Sequence, residues 1–278
     1  MIYREHALPP AARAAAFCAW RFAMEPGDPE TVLHSVPPDG TGNLLLVLGP
    51  DGTQVRRLVG PSVAVQSGPI HAGWLYAGLR LRPECVASVT GRDPATLVGT
   101  SEDMEGLDPL FAALARLAAD EPDWALGAAE AEWLGLRRGD AAVAHAVDRL
   151  IASGGTAPIA AAAAAAGLSP RQLRRRFAAA TGLSPKQYSG VQRVRRALIL
   201  SLDTARWADV AAEAGYADQP HLNRAVRTHF GTAPRTIGFY VGGIRHVFVE
   251  QSASEPGAAP AGSWLPTAPA PRSGRRRP

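Results

Sequence analysis

The chain has very little cysteine: Cys18 and Cys85 are the only two in 278 residues. Far apart in sequence and without ligand-type neighbours, they offer neither a disulfide framework nor a zinc cluster, and they fit a reducing compartment. Long apolar runs are also missing. No stretch of about 18 uninterrupted strongly apolar residues occurs, so no membrane-spanning helix and no membrane partner are expected. The opening MIYREHALPP lacks the charged-then-apolar pattern of an export signal, so a cytoplasmic, nucleoid-associated location is expected. There is no phosphate-binding loop, no nucleophile elbow and no metal-binding histidine pair, and His6, His34 and His71 are scattered. The reading is therefore of a protein that is not an enzyme, with no cofactor and no metal.

Charge is present but unevenly placed. Residues 1–169 hold 12 Lys/Arg against 19 Asp/Glu, a net −7; residues 170–250 are +8 and residues 251–278 are +3. An acidic front joined to a basic back suggests a body not made for DNA attached to a module that is. From about Gln251 the chain is rich in Pro, Ala, Gly and Ser and ends SGRRRP, a composition expected to stay disordered.

Residues 31–82 read as short strands broken by turns. Pro37-Pro38-Asp39-Gly40 and Pro50-Asp51-Gly52 are the turns; 43–49, 54–60, 63–68 and 71–83 are strand candidates. Close spacing of this kind suggests a small barrel or sandwich. Beyond Glu84 the period changes to helical, with Pro94, Pro109 and Pro122 opening or preceding segments. Arg137-Arg138-Gly139 marks a junction, and 139–154 reads as an amphipathic helix with Val143, Val147, Leu150 and Ile151 on one face. The fold class expected is α+β: a β-rich domain of small barrel or sandwich plus helices over 1–136, a helical domain over 137–250, and the tail 251–278.

The stretch Gly167 to Gly182, GLSPRQLRRRFAAATG, organises the back half. Ser169 suits an N-cap, Pro170 the first helical position, and Gly182 a left-handed C-cap. Leu173 and Phe177, four apart, can seat the helix on a core, while the arginines point elsewhere. A short alanine-rich helix precedes it. Two helices, a Gly turn and an arginine-bearing second helix make a helix-turn-helix pattern, or else an ordinary helical hairpin with a basic face. The same pattern returns about 49 residues later in ADVAAEAGYADQPHLNRAVRTHFGTAP. Leu173 and Leu222, Arg175 and Arg224, Phe177 and Val226, Gly182 and Gly231, and Pro185 and Pro234 share one offset. Recurrence of caps, core pair and arginine in register favours two helix-turn-helix units joined by a linker helix. That linker, near 28 Å long at about 1.5 Å per residue, could span one turn of B-DNA, about 34 Å.

These residues resemble the AraC/XylS family of bacterial transcription regulators. The resemblance covers about 140–240 and rests on GLSPRQLRRRF, GLSPKQY, RVRRA, DVAAEAGYADQPHLNRAVRTHFG and TAPRTI. Leu222 and Val226 stand where the family commonly has aromatics. The front half, through VPPDGTGNLLLVLG and AGLRLRPECV, is similar to a sensor domain found upstream of such modules. The resemblance implies a transcription factor whose partners are double-stranded promoter DNA, RNA polymerase and an unidentified small-molecule effector, acting as a monomer or homodimer.

By that resemblance Arg171, Arg174, Arg175, Gln219, His221, Asn223 and Arg224 would read bases. Arginine matches guanine O6 and N7, while Gln or Asn suits adenine. Arg176, Arg193, Arg196, Arg227 and Thr228 are candidates for phosphate, and Arg175 and Arg224 could serve there too. A solvated basic face is the plainer reading of part of this set. In the front half Trp20, Trp74, Tyr76, Arg80 and Arg82, with Glu84, could line an effector pocket; strand-face packing accounts for the aromatics equally. Two other functions remain open: an architectural DNA-binding protein without an effector, and a DNA-targeted enzyme such as a thiol-based repair protein.

Overall fold

Four successive residues, Leu44 to Val47, are apolar and buried on both sides of their strand, which puts that strand inside a sheet covered on two faces. The computed structural model describes residues 2–24, 27–121, 124–203, 206–232, 237–239 and 247–249; at 202–203 and in the last two segments it describes backbone alone. The expected tail, Pro122 and Pro234 lie outside the described residues.

The strands in chain order are β1 (Ile2–His6), β2 (Ala16–Ala23), β3 (Thr31–Val36), β4 (Asn43–Leu48), β5 (Gln54–Val59), β6 (Gln66–His71), β7 (Leu75–Leu81) and β8 (Ser101–Asp103). Six of them form an antiparallel sheet in the order β1-β2-β7-β4-β5-β8, and β3 pairs separately with β6. The period of two splits the central strands cleanly. Leu44, Leu46, Ala77 and Leu79 face a core closed by α2 (Asp108–Ala118) and α3 (Ala128–Gly135), while Leu45, Val47 and Tyr76 face Ile70 and Val32 of the β3–β6 pair. The front domain is thus α+β, with two sheets on one side and helices on the other, in line with the expected class. A short helix, α1 (Val86–Thr90), follows β7.

Two strand limits differ from the sequence reading. The segment 63–68 was expected to be a strand, yet β6 begins only at Gln66. Ser62 Oγ bonds both the amide and the carbonyl of Ala64, which folds 62–64 into a turn, and the Val65 amide is spent on His229 O. After Pro122 the helical period becomes a helix only at Ala128; Trp124, before it, donates its indole N–H to Ala113 O at 2.7 Å.

Behind the junction come α4 (Ala141–Ala152), α5 (Ile159–Ala165), α6 (Pro170–Thr181), α7 (Pro185–Asp203), α8 (Trp207–Glu213) and α9 (Gln219–Phe230). Asp140 caps α4 by accepting from Ala142 and Val143 N–H. Val143, Ala146, Val147 and Leu150 are its buried face; Ile151, expected there, is 39% exposed because Ala146 takes the fourth inward position. A short antiparallel pair, β9 (Ile237–Phe239) with β10 (Val247–Val249), follows α9. Both segments, IGF and VFV, are β-branched or aromatic in character.

Candidate nucleic-acid interface and sensor cavity

Local chemistry builds α6 and α9 alike. Ser169 accepts from Gln172 N–H while the Gln172 side chain returns to Ser169 N–H, a reciprocal box that satisfies two otherwise orphaned donors. Asp218 caps α9 by accepting from His221 N–H. Gly182 and Gly231, at φ of 72° and 70°, end the two helices in the left-handed conformation that glycine adopts at no steric cost. Leu173, Phe177, Leu222 and Val226 are all fully buried. Burying each contributes about 1.5–3 kcal/mol, enough to fix which face of the helix meets solvent.

What remains outside is basic. Arg171, Arg174 and Arg175 on α6 and Arg224, Arg227 and Thr228 on α9 are exposed. Gln219, His221 and Asn223 are half-buried; the His221 ring meets Tyr216 edge-on at 5.1 Å. The Thr228 hydroxyl donates to Arg224 O. Three phosphate candidates already hold the fold together. Arg176 grips Asp140 with two bonds of 2.6 and 2.7 Å, Arg193 donates twice to Gly155 O, and Arg196 donates to Ser153 O. Sequence gave no sign of these uses, because the partners lie 36 to 43 positions away. Arg176 holds the Asp140 carboxyl below the usual carboxylate range, helped by the helix amides that it accepts.

The linker helix α7 has 19 residues and opens on a second reciprocal cap, Ser184 with Gln187. Val194, Ala197 and Leu198 belong to the core of the second unit, while Tyr188 and Leu183 belong to that of the first. One helix therefore completes two cores.

The front domain holds a cavity of about 70 Å³ between the large sheet and the β3–β6 pair. Trp20, Tyr76 and Arg80 line it; Trp74 and Arg82 do not. Trp74 precedes β7 and packs beside His71, while Arg82 follows β7 and faces α4. Arg82 bonds buried Glu84 and Asp148 of α4, each at 2.6 Å, so this pair, read as pocket residues, joins the two halves of the chain. Alternation along a strand names a face, but not the point where that face stops being a wall. The Trp20 indole packs against Gly78, where a Cβ would stand 2.4 Å from its ring. Arg80 pairs with Glu5 at 3.0 Å and Asp39 at 3.1 Å. Burial opposes its charge, but the acidic groups around it more than offset that and its pKa is raised. The wall also includes residues that sequence reading missed, chiefly Asp39 from the β3–β4 loop and Ser62 from the β5–β6 loop.

Both of those loops touch the helical half. Gln192 of α7 donates to Asp39 O at 3.2 Å and Arg195 to Pro38 O at 3.4 Å. Phe17, Val63 and Val98 pack on the core of the first unit, and Val65 on that of the second.

Residues 162–237 match the family model described as a helix-turn-helix domain, of the AraC type. No curated protein matches the chain. Among solved structures the chain is similar to ToxT from Vibrio cholerae, at 9% identity and a TM-score of 0.40, covering 84% of this chain and 95% of that one. It is similar also to ToxT bound to (E)-4-(8-methylnaphthalen-1-yl)but-3-enoic acid, at 9% identity, a TM-score of 0.39 and coverage of 84% and 97%. For unsaturated fatty acid bound ToxT the values are 10%, 0.34, 76% and 95%.

Proposed function

With an AraC-type helix-turn-helix domain at residues 162–237 as the premise, we propose that this protein is a sequence-specific, ligand-responsive transcription regulator that reads two successive major grooves with α6 and α9. In this reading residues 1–136 sense, residues 137–250 bind promoter DNA, and 251–278 form a tail. The observation that carries it is the repeat. Two helices, each with a side-chain N-cap, a left-handed glycine C-cap, a buried apolar pair four apart and an outward arginine at the matching position (Arg175, Arg224), flank one 19-residue helix in the chain. Such a helix is about 28 Å long, near the rise of one DNA turn. One chain can then engage two grooves without a partner copy.

Arg171, Arg174, Arg175 and Arg224 would reach base edges, joined by Gln219, His221 and Asn223 at the N-terminal end of α9. Arg227 and Thr228 would lie along phosphate. The free N–H groups of Arg176, Arg193 and Arg196 could add phosphate bonds while their other bonds hold the fold. The cavity of Trp20, Tyr76 and Arg80 is the effector site in this account. Its support is position, since two of its walls are the loops that touch α7 and the unit cores.

Arg174→Ala and Arg224→Ala test the reading by competition binding on the promoter site and on random duplex. Each should lose about 1–3 kcal/mol on the site and much less on random DNA. Equal losses on both would make that arginine a phosphate contact, and losses on neither would remove the helix from the interface.

A further inference from the structure

The β5–β6 loop, residues 60–65, has two faces. Gly60, Ser62 and Ala64 line the cavity. Val63 and Val65, the alternate residues, pack on the cores of the first and second helix-turn-helix units. The loop is also tied to the last turn of α9 by a pair of bonds through one residue. The Val65 amide donates to His229 O at 2.7 Å, and the His229 ring nitrogen Nδ1 lies 2.5 Å from Val63 O. A carbonyl can only accept, so Nδ1 carries the proton. The ring also lies against α7 at position 190, where a Cβ would stand 3.5 Å from His229 Nε2, an ordinary van der Waals contact. One imidazole therefore touches the sensor loop and faces the linker helix from the second recognition helix. On the cavity side, the shape of the loop rests on Ser62, 8% exposed, whose hydroxyl holds Ala64 at 2.6 and 3.1 Å.

We propose that the β5–β6 loop is the coupling element of this protein, carrying the state of the cavity to the second helix-turn-helix unit through His229 as a positioning residue. A group filling the cavity presses on Ser62 and Ala64. The turn they form cannot shift without moving the Val63 carbonyl and the Val65 amide, and both are bonded to His229. The first unit meets the front domain elsewhere as well: a Cβ at Gly182, the end of α6, would stand 2.5 Å from Pro94 O. Movement of the loop therefore falls on α9 relative to α6, which is the spacing a two-groove reader depends on. The inference rests on the regulator reading for its purpose, though not for its mechanics.

Amide hydrogen exchange on the full chain tests it. Val36→Phe places a ring in the cavity from the β3 wall, where its strand partner is Gln66 at the start of β6, and xenon pressure on the unsubstituted chain fills the same space with no substitution beside the loop. Either should change exchange about threefold or more in residues 60–65 and in the last turn of α9. In a His229→Phe background, which removes the ring bond to Val63 O but leaves the Val65 amide on the backbone carbonyl of residue 229, the change in 60–65 should persist and the change in α9 should fall by about half or more. A response of α9 that is equal in both backgrounds would overturn the proposal, as would a response in 60–65 that never reaches α9, or no response to either probe. If exchange behaves as expected but the chain makes no specific footprint on DNA, the coupling stands and the regulator reading fails.

Discussion

Tyr188 is one residue on which the two halves of the molecule close. It is fully buried, packs tilted against Phe177 with ring centroids 5.6 Å apart, and stands against Gly40 of the front domain, where a Cβ would be 2.8 Å from its ring. Its hydroxyl has no hydrogen-bond partner among the described residues, and burial pushes the phenol's pKa up. An unsatisfied buried hydroxyl costs about 1–3 kcal/mol, so Tyr188→Phe should keep or raise stability by about 1 kcal/mol in denaturant unfolding. A loss of that size would mean the hydroxyl is bonded. Asp140 makes the opposite case. Its folded pKa is depressed by the Arg176 hydrogen bonds and by the amides it caps, so its contribution is fully present above the unfolded carboxylate range, near 4. It is lost as pH falls through the folded value. The unfolding midpoint followed from pH 7 to pH 3 should fall with a component that Asp140→Asn removes, since asparagine keeps the cap oxygen but not the charge.

At the scale of elements, the loop after α4 decides how the first unit sits. Gly155 has φ of 75°, and a Cβ there would lie 2.2 Å from Ser189 O and 2.7 Å from Arg193 N, both backbone atoms of α7. Its carbonyl also accepts from the Ser189 hydroxyl and from Arg193. Gly155→Ala should therefore cost about 3 kcal/mol or more in thermal or denaturant unfolding; a cost under about 1 kcal/mol would show that the loop yields. The elements were legible where their causes are local. Ser169, Asp218, Gly182 and Gly231 act within three or four residues, so α6 and α9 could be placed from sequence and the repeat recognised. The start of β6 could not be placed, because the Val65 amide is taken by His229, far along the chain. For the same reason the cavity was only partly foreseen. Strand alternation put Trp74, Tyr76, Arg80 and Arg82 on one face, but it could not show that Asp39 and Ser62 fold over part of it or that Arg82 turns to Asp148. Arginine on a helix says that a face is basic; only the structure shows that Arg176, Arg193 and Arg196 spend bonds on carboxylate and carbonyl groups.

For the whole molecule, the front domain is a clamp on the helical half. It meets α7 through Asp39 O and Pro38 O, α4 through Arg82, and the unit cores through Phe17, Val63, Val65 and Val98. Asp148→Asn removes one charge from that seam, and exposed or partly exposed pairs of this type contribute about 0–1 kcal/mol. Its effect on global stability should accordingly be small, while exchange protection along α4 should fall if Arg82 docks that helix. The central claim is that two recognition helices of one chain read neighbouring grooves. Footprinting of DNA upstream of the protein's own gene with the full chain, at two salt concentrations, tests it most directly. The account predicts protection over about two helical turns on one face of the duplex, retained at the higher salt. Protection confined to a single groove would contradict the two-helix reading, and diffuse protection that disappears with salt would contradict sequence-specific binding altogether.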